Sequence, residues 1–392
     1  MYIAILGRQP ALGMAELEHL YGANATSWFS DISVRVSTDM LTVDNLGGTQ
    51  KVGKIVAELP HGDWRRISTK IVQDYSKAWS KNGTKITLGI SAYGFDISTR
   101  DVQKTGILLK QKLKKSNVSL RLIPNVELAL NSATAHHNKL GLSSNKAELL
   151  VMRARNGRII IAESTGAQNI TAYTKRDQER PKRDAFVGML PPKLAQLMIN
   201  LATTHTEGTI KGKRLLDPFC GTGVVLQEAA LMGYSVYGTD LSPKMIDFTN
   251  TNLEWLSKTH HVDIHSQLQQ ADAMDTSWDS PIDAVVCEGY LGQPFSAPPS
   301  PVKLDQVRKN CDHIISVFLK NISPQLSPGT PLCVAIPAWR NPNGDFSHLS
   351  LTDTIESFGL QRYSFEHIKP KDLLYYREGQ VVARELLVLV KT

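Results

Sequence analysis

The 392-residue sequence has no apolar run approaching the roughly 18 residues that a membrane-spanning helix needs, which excludes a helical span. Its first stretch, MYIAILGRQPALGMAELEHL, is broken at Arg8 and Pro10 and lacks the basic start and long apolar centre of a secretory leader. Cysteine is scarce. The four residues (Cys220, Cys287, Cys311, Cys333) form no C-x-x-C pair and have no histidine at zinc-finger spacing. That inventory implies a reducing, cytoplasmic setting and no structural metal. His136 and His137 are adjacent, so on a helix they face different ways and make no shared metal site. Internal repeats and low-complexity tracts are absent. What is present is an ordinary globular composition, 42% hydrophobic and 21% charged, which argues against global disorder. The length implies two or three domains.

The formal charge is +7. Residues 100–183 hold 17 Lys and Arg against 6 Asp and Glu, and the rest of the chain holds 27 against 31. The positive excess therefore lies in one segment. Solvated helix faces usually mix signs, whereas Lys104, Lys110, Lys112, Lys114 and Lys115 share one predicted helix with only Asp101 near its start. This segment is expected to bind a polyanion, with Lys175, Arg176, Arg180, Lys182 and Arg183 adding to the surface.

Hydrophobic periodicity divides the chain at Pro60-His61-Gly62-Asp63 and near residue 183. Residues 1–63 read as a small α+β unit: strand MYIAILG, helix ALGMAELEHLYG with Leu12, Met14, Leu17 and Leu20 on its apolar side, then strands ISVRVS and VGKIVAEL. Residues 64–183 continue with helix WRRISTKIVQDYSKAWS, strand KITLGISAYG, the basic helix, and strands VSLRLIP, AELLVMRARN and GRIIIAEST. Asn156-Gly157 between the last two is a hairpin turn. Residues 184–392 alternate strand and helix, which predicts an α/β, doubly wound, Rossmann-like sheet. YSFEHIK and VVARELLVLVK leave no room for a helix between them and are expected to form an antiparallel hairpin at its edge.

The chemistry concentrates between a strand and a helix, at Asp217-Pro218-Phe219-Cys220-Gly221-Thr222-Gly223. Two glycines spaced by one residue allow a sharp turn and close approach to a ligand, and the following helix offers free N–H groups. Asp240 ends the next strand, where a carboxylate accepts from ribose hydroxyls. Asp272, after the third strand, is placed to reach an adenine amine. Position 226 is Leu, so the third glycine of a dinucleotide loop is missing, and no Gly-Lys-Ser/Thr follows as in a phosphate-binding loop. An acidic residue opening the loop repels phosphate and favours a cation. S-adenosylmethionine has no phosphate and carries an ammonium and a sulfonium, and it fits this pattern best.

DPFCGTG with GTDLSPKMI resembles the class I S-adenosylmethionine-dependent methyltransferases. RPKRDAFVGMLPPKLAQLMINLA resembles the junction between a THUMP RNA-binding domain and its methyltransferase domain in the tRNA guanine-N2 methyltransferases. GRQPALGMAELEHLYG and GGTQKVGKI look like the ferredoxin-like unit that precedes THUMP there. The resemblance spans essentially the whole chain, with its specific motifs between residues 180 and 245. It implies a ferredoxin-like domain at 1–63, a THUMP domain at 64–183 that grips tRNA, and a methyltransferase domain at 184–392. It also implies cofactor contacts from Asp217, Phe219, Gly221, Gly223, Asp240, Leu241, Asp272 and Ala273.

The family's catalytic signature, Asp/Asn-Pro-Pro-Tyr/Phe after the fourth strand, is not intact. Here that strand, IDAVVC, runs into Glu288-Gly289-Tyr290-Leu291-Gly292-Gln293-Pro294. The acid is one methylene longer, both prolines are missing, and the aromatic residue comes one place early. Three readings follow. Glu288 and Tyr290 perform the same methylation of a guanine amine with altered geometry; the pocket serves another nucleophile or base, as in enzymes that methylate DNA amines; or the protein binds RNA without catalysis. Asn341-Pro342-Asn343-Gly344 imitates the signature after the fifth strand and is expected to be a turn. Trp339 is read equally as pocket wall or core, and Cys287 is the weaker candidate for a methyl-accepting group. Tyr375, Tyr376 and Arg377 are read as a possible RNA contact or a hairpin cap.

Overall fold

The computed structural model describes residues 1–81, 84–184, 190–203, 210, 212–293, 299–341 and 343–392. The chain forms two compact units, one of residues 1–10 and 21–172, the other of residues 11–20 and 173–392.

The first unit is built on a single eight-stranded sheet. Its strands are β1 (Tyr2–Leu6), β2 (Thr26–Ser30), β3 (Ser33–Val36), β4 (Thr49–Leu59), β5 (Ile86–Tyr93), β6 (Leu120–Leu122), β7 (Lys146–Arg153) and β8 (Ile159–Ala167), in the order β2-β3-β1-β4-β8-β7-β5-β6. The β4–β8 pairing makes one sheet of the strands from residues 1–63 and from residues 64–183. The Asn156-Gly157 hairpin is present, with Gly157 at φ +84°. Helices α2 (Trp64–Ala78) and α3 (Thr99–Lys114) pack on the sheet through Ile67, Ile71, Val102, Leu109 and Leu113. α3 starts at a capping box in which Ser98 Oγ accepts from the Asp101 amide and the Asp101 carboxylate accepts from the Ser98 amide.

An ion pair is sealed inside this unit. Lys51 is 2% exposed and Glu148 fully buried. Lys51 Nζ donates to Glu148 and to the Leu130 carbonyl, and Ser91 Oγ donates to the same Glu148 oxygen at 2.6 Å. A β-carbon at Gly89 would lie 2.5 Å from a Leu130 methyl, so the segment that supplies that carbonyl can close down only over a glycine.

In the second unit the strands are β9 (Arg214–Asp217), β10 (Ser235–Asp240), β11 (Ser266–Gln270), β12 (Ala284–Glu288), β13 (Pro331–Arg340), β14 (Phe346–Ser347), β15 (Leu360–Arg362), β16 (Leu374–Tyr375) and β17 (Val382–Lys391). The main order is β11-β10-β9-β12-β13-β17-β15, parallel from β11 to β13. β17 runs antiparallel between β13 and β15. Helices α6 (Pro192–Leu201), α7 (Val224–Leu231), α8 (Pro243–His260) and α9 (Pro301–Ile322) connect or flank these strands. From β9 the chain moves to β10 on one side and later to β12 on the other, so a ligand crevice opens at their carboxyl ends.

The expected edge hairpin differs in detail. YSFEHIK is irregular rather than a strand, and the strand lies just before it, in β15. The cause is a carboxylate: the amides of Glu366 and His367 donate to Glu18 instead of to a ladder. Glu18 lies on helix α1 (Pro10–Tyr21), whose residues 11–20 belong to this second unit. α1 is not simply amphipathic, because Glu16 and Glu18 are also buried. Glu16 accepts from Asn200 Nδ2 at 2.7 Å. Short elements that periodicity did not signal are β2, β14, β16, α4 (Ser132–His137) and α5 (Ile170–Gln178).

Replacing Lys51 alone by Met is expected to cost about 3–5 kcal/mol, because Glu148 is left buried without its cation. The double variant Lys51→Met/Glu148→Leu should recover most of that loss. Urea unfolding of the two variants beside the parent protein checks both.

Candidate active site

The β9 strand delivers Asp217 to the sheet edge, and the chain then turns through Gly221 (φ +53°) and Gly223 (φ +80°) into α7. At Gly223 a β-carbon would meet Thr249 Cγ2 at 2.8 Å, so both the backbone angle and the space require glycine. The loop is tied from outside at several points. The Gly221 amide donates to Asp240 Oδ2 at 2.9 Å, and the Ser242 amide donates to Asp240 Oδ1 at 2.9 Å. Thr249 Oγ1 donates to the Gly221 carbonyl, and Asn252 Nδ2 donates to the Thr222 carbonyl, both at 2.8 Å. Thr249 and Asn252 are three residues apart on the buried face of α8, a spacing that the sequence displays but that has no meaning until α8 is packed on the loop.

A cavity of about 340 Å³ opens over this edge, its walls including Asp217, Phe219, Gly221, Asp240, Glu288 and Tyr290. Among the described residues its walls do not include Gly223, Leu241, Asp272 or Ala273. Gly223 shapes the loop from behind. Leu241 is 67% exposed beside Asp240, an unusual position for leucine. Asp272 Oδ1 caps a turn by accepting from the Met274 amide, and the buried Ala273 offers its carbonyl to Asn321 Nδ2. Phe219 packs edge-on against Phe318 of α9, with ring centroids 5.0 Å apart.

Three carboxylates share this edge. Asp217 is buried, and burial pushes its pKa well above the ordinary aspartate range, with the negative charges of Asp240 and Glu288 pushing the same way. The hydrogen bond from the Phe219 amide opposes this shift. Glu288 ends β12, and the next amide, Gly289, continues the ladder by donating to the Ala335 carbonyl at 2.9 Å. Glu288 forms an ion pair with Arg384 of β17. Tyr290 is 40% exposed. The turn that lacks both prolines is rebuilt differently: Gly292, at φ +83°, seats against α9 where a β-carbon would come within 2.7 Å of Val307. Pro294, which closes the stretch read from the sequence, lies outside the described residues.

The other candidates separate. Cys287 is fully buried and burial drives its thiol well above the usual range, so it is core rather than an acceptor of a methyl group. Trp339 is also fully buried, in the cluster with Phe318 and Ile336, which decides for core. Asn341, Asn343 and Gly344 form a turn, the Gly344 amide donating to the Asn341 carbonyl, and Pro342 lies outside the described residues. Among the described residues no group of three or more His, Cys, Asp or Glu is arranged to hold a metal, and no helix is long and apolar enough to cross a membrane.

Of the residues expected to hold a polyanion, Lys104, Lys110 and Lys114 are exposed on α3, and Lys175 and Arg183 are exposed in the second unit. Two are not surface groups. Arg176 grips both oxygens of Glu228 at 2.6 and 3.0 Å, and Arg180 is 3% exposed. The reason is Glu228 itself, a carboxylate buried on α7 that needs a cation and draws Arg176 inward. Lys182 is half-buried: its backbone exchanges two hydrogen bonds with Asn252, and its ammonium sits 5.3 Å from the centre of the Phe248 ring. Lys193, which the sequence did not single out, is desolvated on α6, and burial lowers its amine to about 8.

Comparison with known proteins gives two family models that overlap on residues 180–251, the stretch that contains the glycine loop and Asp240. One, UPF0020 (RMKL-like, methyltransferase domain), matches residues 180–343. The other, N6_N4_Mtase (DNA methylase), matches residues 45–251, just over half of the chain. The chain belongs to the methyltransferase family that these models describe. Among its curated relatives, the tRNA (guanine(10)-N2)-dimethyltransferase of Methanothermobacter thermautotrophicus is 32% identical over 163 residues, 41% of this chain and 43% of that protein. The protein of the same name from Methanocaldococcus jannaschii is 35% identical over 153 residues, 38% of this chain and 39% of that protein. The matched region thus spans about two fifths of these relatives' length. In fold, the methyltransferase is similar along its whole length to the crystal structure of TrmN from Thermus thermophilus, at 16% identity and a TM-score of 0.52, covering 100% of this chain and 99% of that one.

The methyltransferase cofactor is S-adenosylmethionine, and the site fits it. The side-chain-free backbone at Gly221 opens directly on the cavity, and the acidic edge suits a molecule that carries two positive charges and no phosphate.

The upward shift at Asp217 also sets a pH dependence. In the unfolded chain this carboxyl ionises near its ordinary value of about 3.9. Above that pH the folded state binds more proton at this carboxyl than the unfolded state, so its contribution to stability falls as pH rises toward the folded value. Asp217→Asn has no proton to retain. It is expected to unfold at a higher urea midpoint than the parent protein near neutral pH while binding S-adenosylmethionine more weakly; chemical denaturation and isothermal titration measure the two effects.

Proposed function

We propose that this chain transfers a methyl group from S-adenosylmethionine to the exocyclic amine of a guanosine in tRNA. The observation that carries the reading is the single cavity that joins the glycine loop and Asp240 to Glu288 and Tyr290 at the switch point of the sheet. The names of the curated relatives support the substrate class. So does the row of exposed lysines on α3. Residues 1–63 would serve as a ferredoxin-like unit, 64–183 as a THUMP domain that holds tRNA, and 184–392 as the methyltransferase domain, in a cytoplasmic enzyme. The first two share a sheet, so they would act as one RNA-holding body.

Bound S-adenosylmethionine supplies a methyl carbon already activated by a sulfonium leaving group. Asp240 would accept from the ribose hydroxyls, Leu241 would lie against the adenine face, and Asp272 with Ala273 would meet the adenine amine. Asp217 would face the positive end of the cofactor, whose charge would favour the ionised carboxylate. On the substrate side, Glu288 would accept an N–H of the guanine amine and so aim the nitrogen lone pair at the methyl carbon, while Tyr290 stacks on a base that has left its helix. The reaction needs alignment more than acid–base strength: the nitrogen–carbon bond would form as the carbon–sulfonium bond breaks, and the amine's proton would pass to Glu288 late in that displacement. Lys104, Lys110, Lys114, Lys175, Lys182 and Arg183 would contact the tRNA backbone.

The match to a DNA methylase model favours one other reading, methylation of an amine on a different base. Tritiated methyl transfer to unmodified tRNA and to duplex DNA separates the two. Label is expected in tRNA and, after nuclease digestion, in N2-methylated guanosine, with Glu288→Ala reduced by roughly a hundredfold or more. Label only in DNA or in adenine would establish the second reading, and no label despite cofactor binding would leave an RNA-binding protein without activity. For the RNA surface, changing Lys104, Lys110 and Lys114 together to Gln should flatten the plot of log affinity against log salt by roughly 2–3 units. Filter binding across a salt series measures that slope.

A further inference from the structure

Glu288 ends β12, but its charge partner comes from two strands away. The order is β12-β13-β17, with Glu288 opposite Ala335 and Ala335 opposite Leu386. Arg384 is two residues from Leu386 and lies opposite Pro337, which is two residues from Ala335. Opposed residues, and residues two apart on a strand, share a face, so Glu288, Ala335, Pro337 and Arg384 all project from one side of the sheet. Between the acid and the arginine lie two inter-strand spacings, roughly 9–10 Å. Ala335 and Pro337 are the small residues that leave the space above β13 free for a long side chain to cross. Arg384 crosses it: its Nε donates to Glu288 Oε1. The two side chains are 12% and 14% exposed, so solvent screens the pair weakly.

Only one of the carboxylate oxygens is used. Among the described residues Glu288 Oε2 has no hydrogen-bond partner, and Glu288 is part of the cavity wall. In the signature that the sequence resembles, a shorter Asp or Asn is followed directly by two prolines; here the longer Glu288 is followed directly by Gly289 and Tyr290, and one extra methylene brings one extra rotatable bond. A side chain with that freedom cannot present an acceptor accurately unless something else fixes it.

We propose that Arg384 is the positioning residue of the methyl-transfer site: it clamps Oε1 of Glu288 across β13 so that Oε2 is presented as a fixed, acceptor-only oxygen to an N–H of the substrate amine. The arginine replaces, by an ion pair, the rigidity that the missing prolines would have supplied. The inference rests on the reading of the cavity as a methyl-transfer site for tRNA. It assigns a role to a residue on the antiparallel strand, outside the loops that follow the parallel strands.

The test is a double-substitution cycle on the full chain, with steady-state methyl transfer to unmodified tRNA and S-adenosylmethionine affinity both measured. Arg384→Gln is expected to lower kcat by roughly a hundredfold, with the KM for tRNA and the cofactor affinity within about twofold of the parent. Arg384→Lys, which keeps the charge on a similar reach, should recover part of the loss. In the Glu288→Gln background the further change Arg384→Gln should cost nothing, since the clamp acts only through that carboxylate. Unchanged cofactor affinity shows that the variants are folded. Full additivity of the two changes, or a kcat for Arg384→Gln equal to the parent, overturns the proposal while leaving the methyltransferase reading intact. Absence of label from the parent protein itself overturns both.

Discussion

One hydrogen bond underlies the geometry of the cofactor edge: the Gly221 amide donating to Asp240. It joins the loop after β9 to the turn after β10, the two places where a class I methyltransferase must meet the two ends of one ligand. Hydrogen bonds to an ionised group are worth about 1.5–3 kcal/mol, enough to hold a loop that would otherwise sample many turns. Because the other Asp240 oxygen is taken by Ser242, the carboxylate cannot rotate without breaking both bonds. Thr249 and Asn252 then fix the carbonyls on the far side of the loop. The glycines make the turn possible, and these outside partners make it a single conformation.

The same edge must accommodate three acids, and each is managed by a different physical device. Asp240 is satisfied by backbone amides. Burial of Asp217 favours its uncharged form. Glu288 is neutralised by an arginine. Three ionised carboxylates at one low-dielectric edge would repel strongly, so the division of labour is a condition of the fold itself.

The parallel sheet and the loop at 217–223 were legible because each is written in local signals: alternation, β–α succession and paired glycines. Asp240 was legible for the same reason, as a carboxylate at a strand end. What was hidden depends on strand order or on burial. Arg384 is 96 residues from Glu288 and becomes its neighbour only because β17 inserts beside β13, an arrangement that the expected hairpin with residues 363–369 did not contain. Arg176 and Arg180 counted as positive charge in the sequence, but the carboxylate on α7 that buries Arg176 lies about 50 residues downstream, and charge counting cannot distinguish a surface cation from an internal one. Glu18, likewise, looked like the polar side of an ordinary helix, while its oxygens serve two amides near residue 366.

The assignment of residues 11–20 to the second unit changes what can be inherited or exchanged as a piece. The second unit is discontinuous, its first helix being supplied from within the strand run of the first unit. A single crossover between genes at residue 173 would deliver β9 to β17 without Glu16 and Glu18, leaving Asn200 and the amides of Glu366 and His367 without their acceptors. The second unit is therefore not a cassette that one recombination event can transplant intact. The pairing of the two units is thus constrained by chain topology itself.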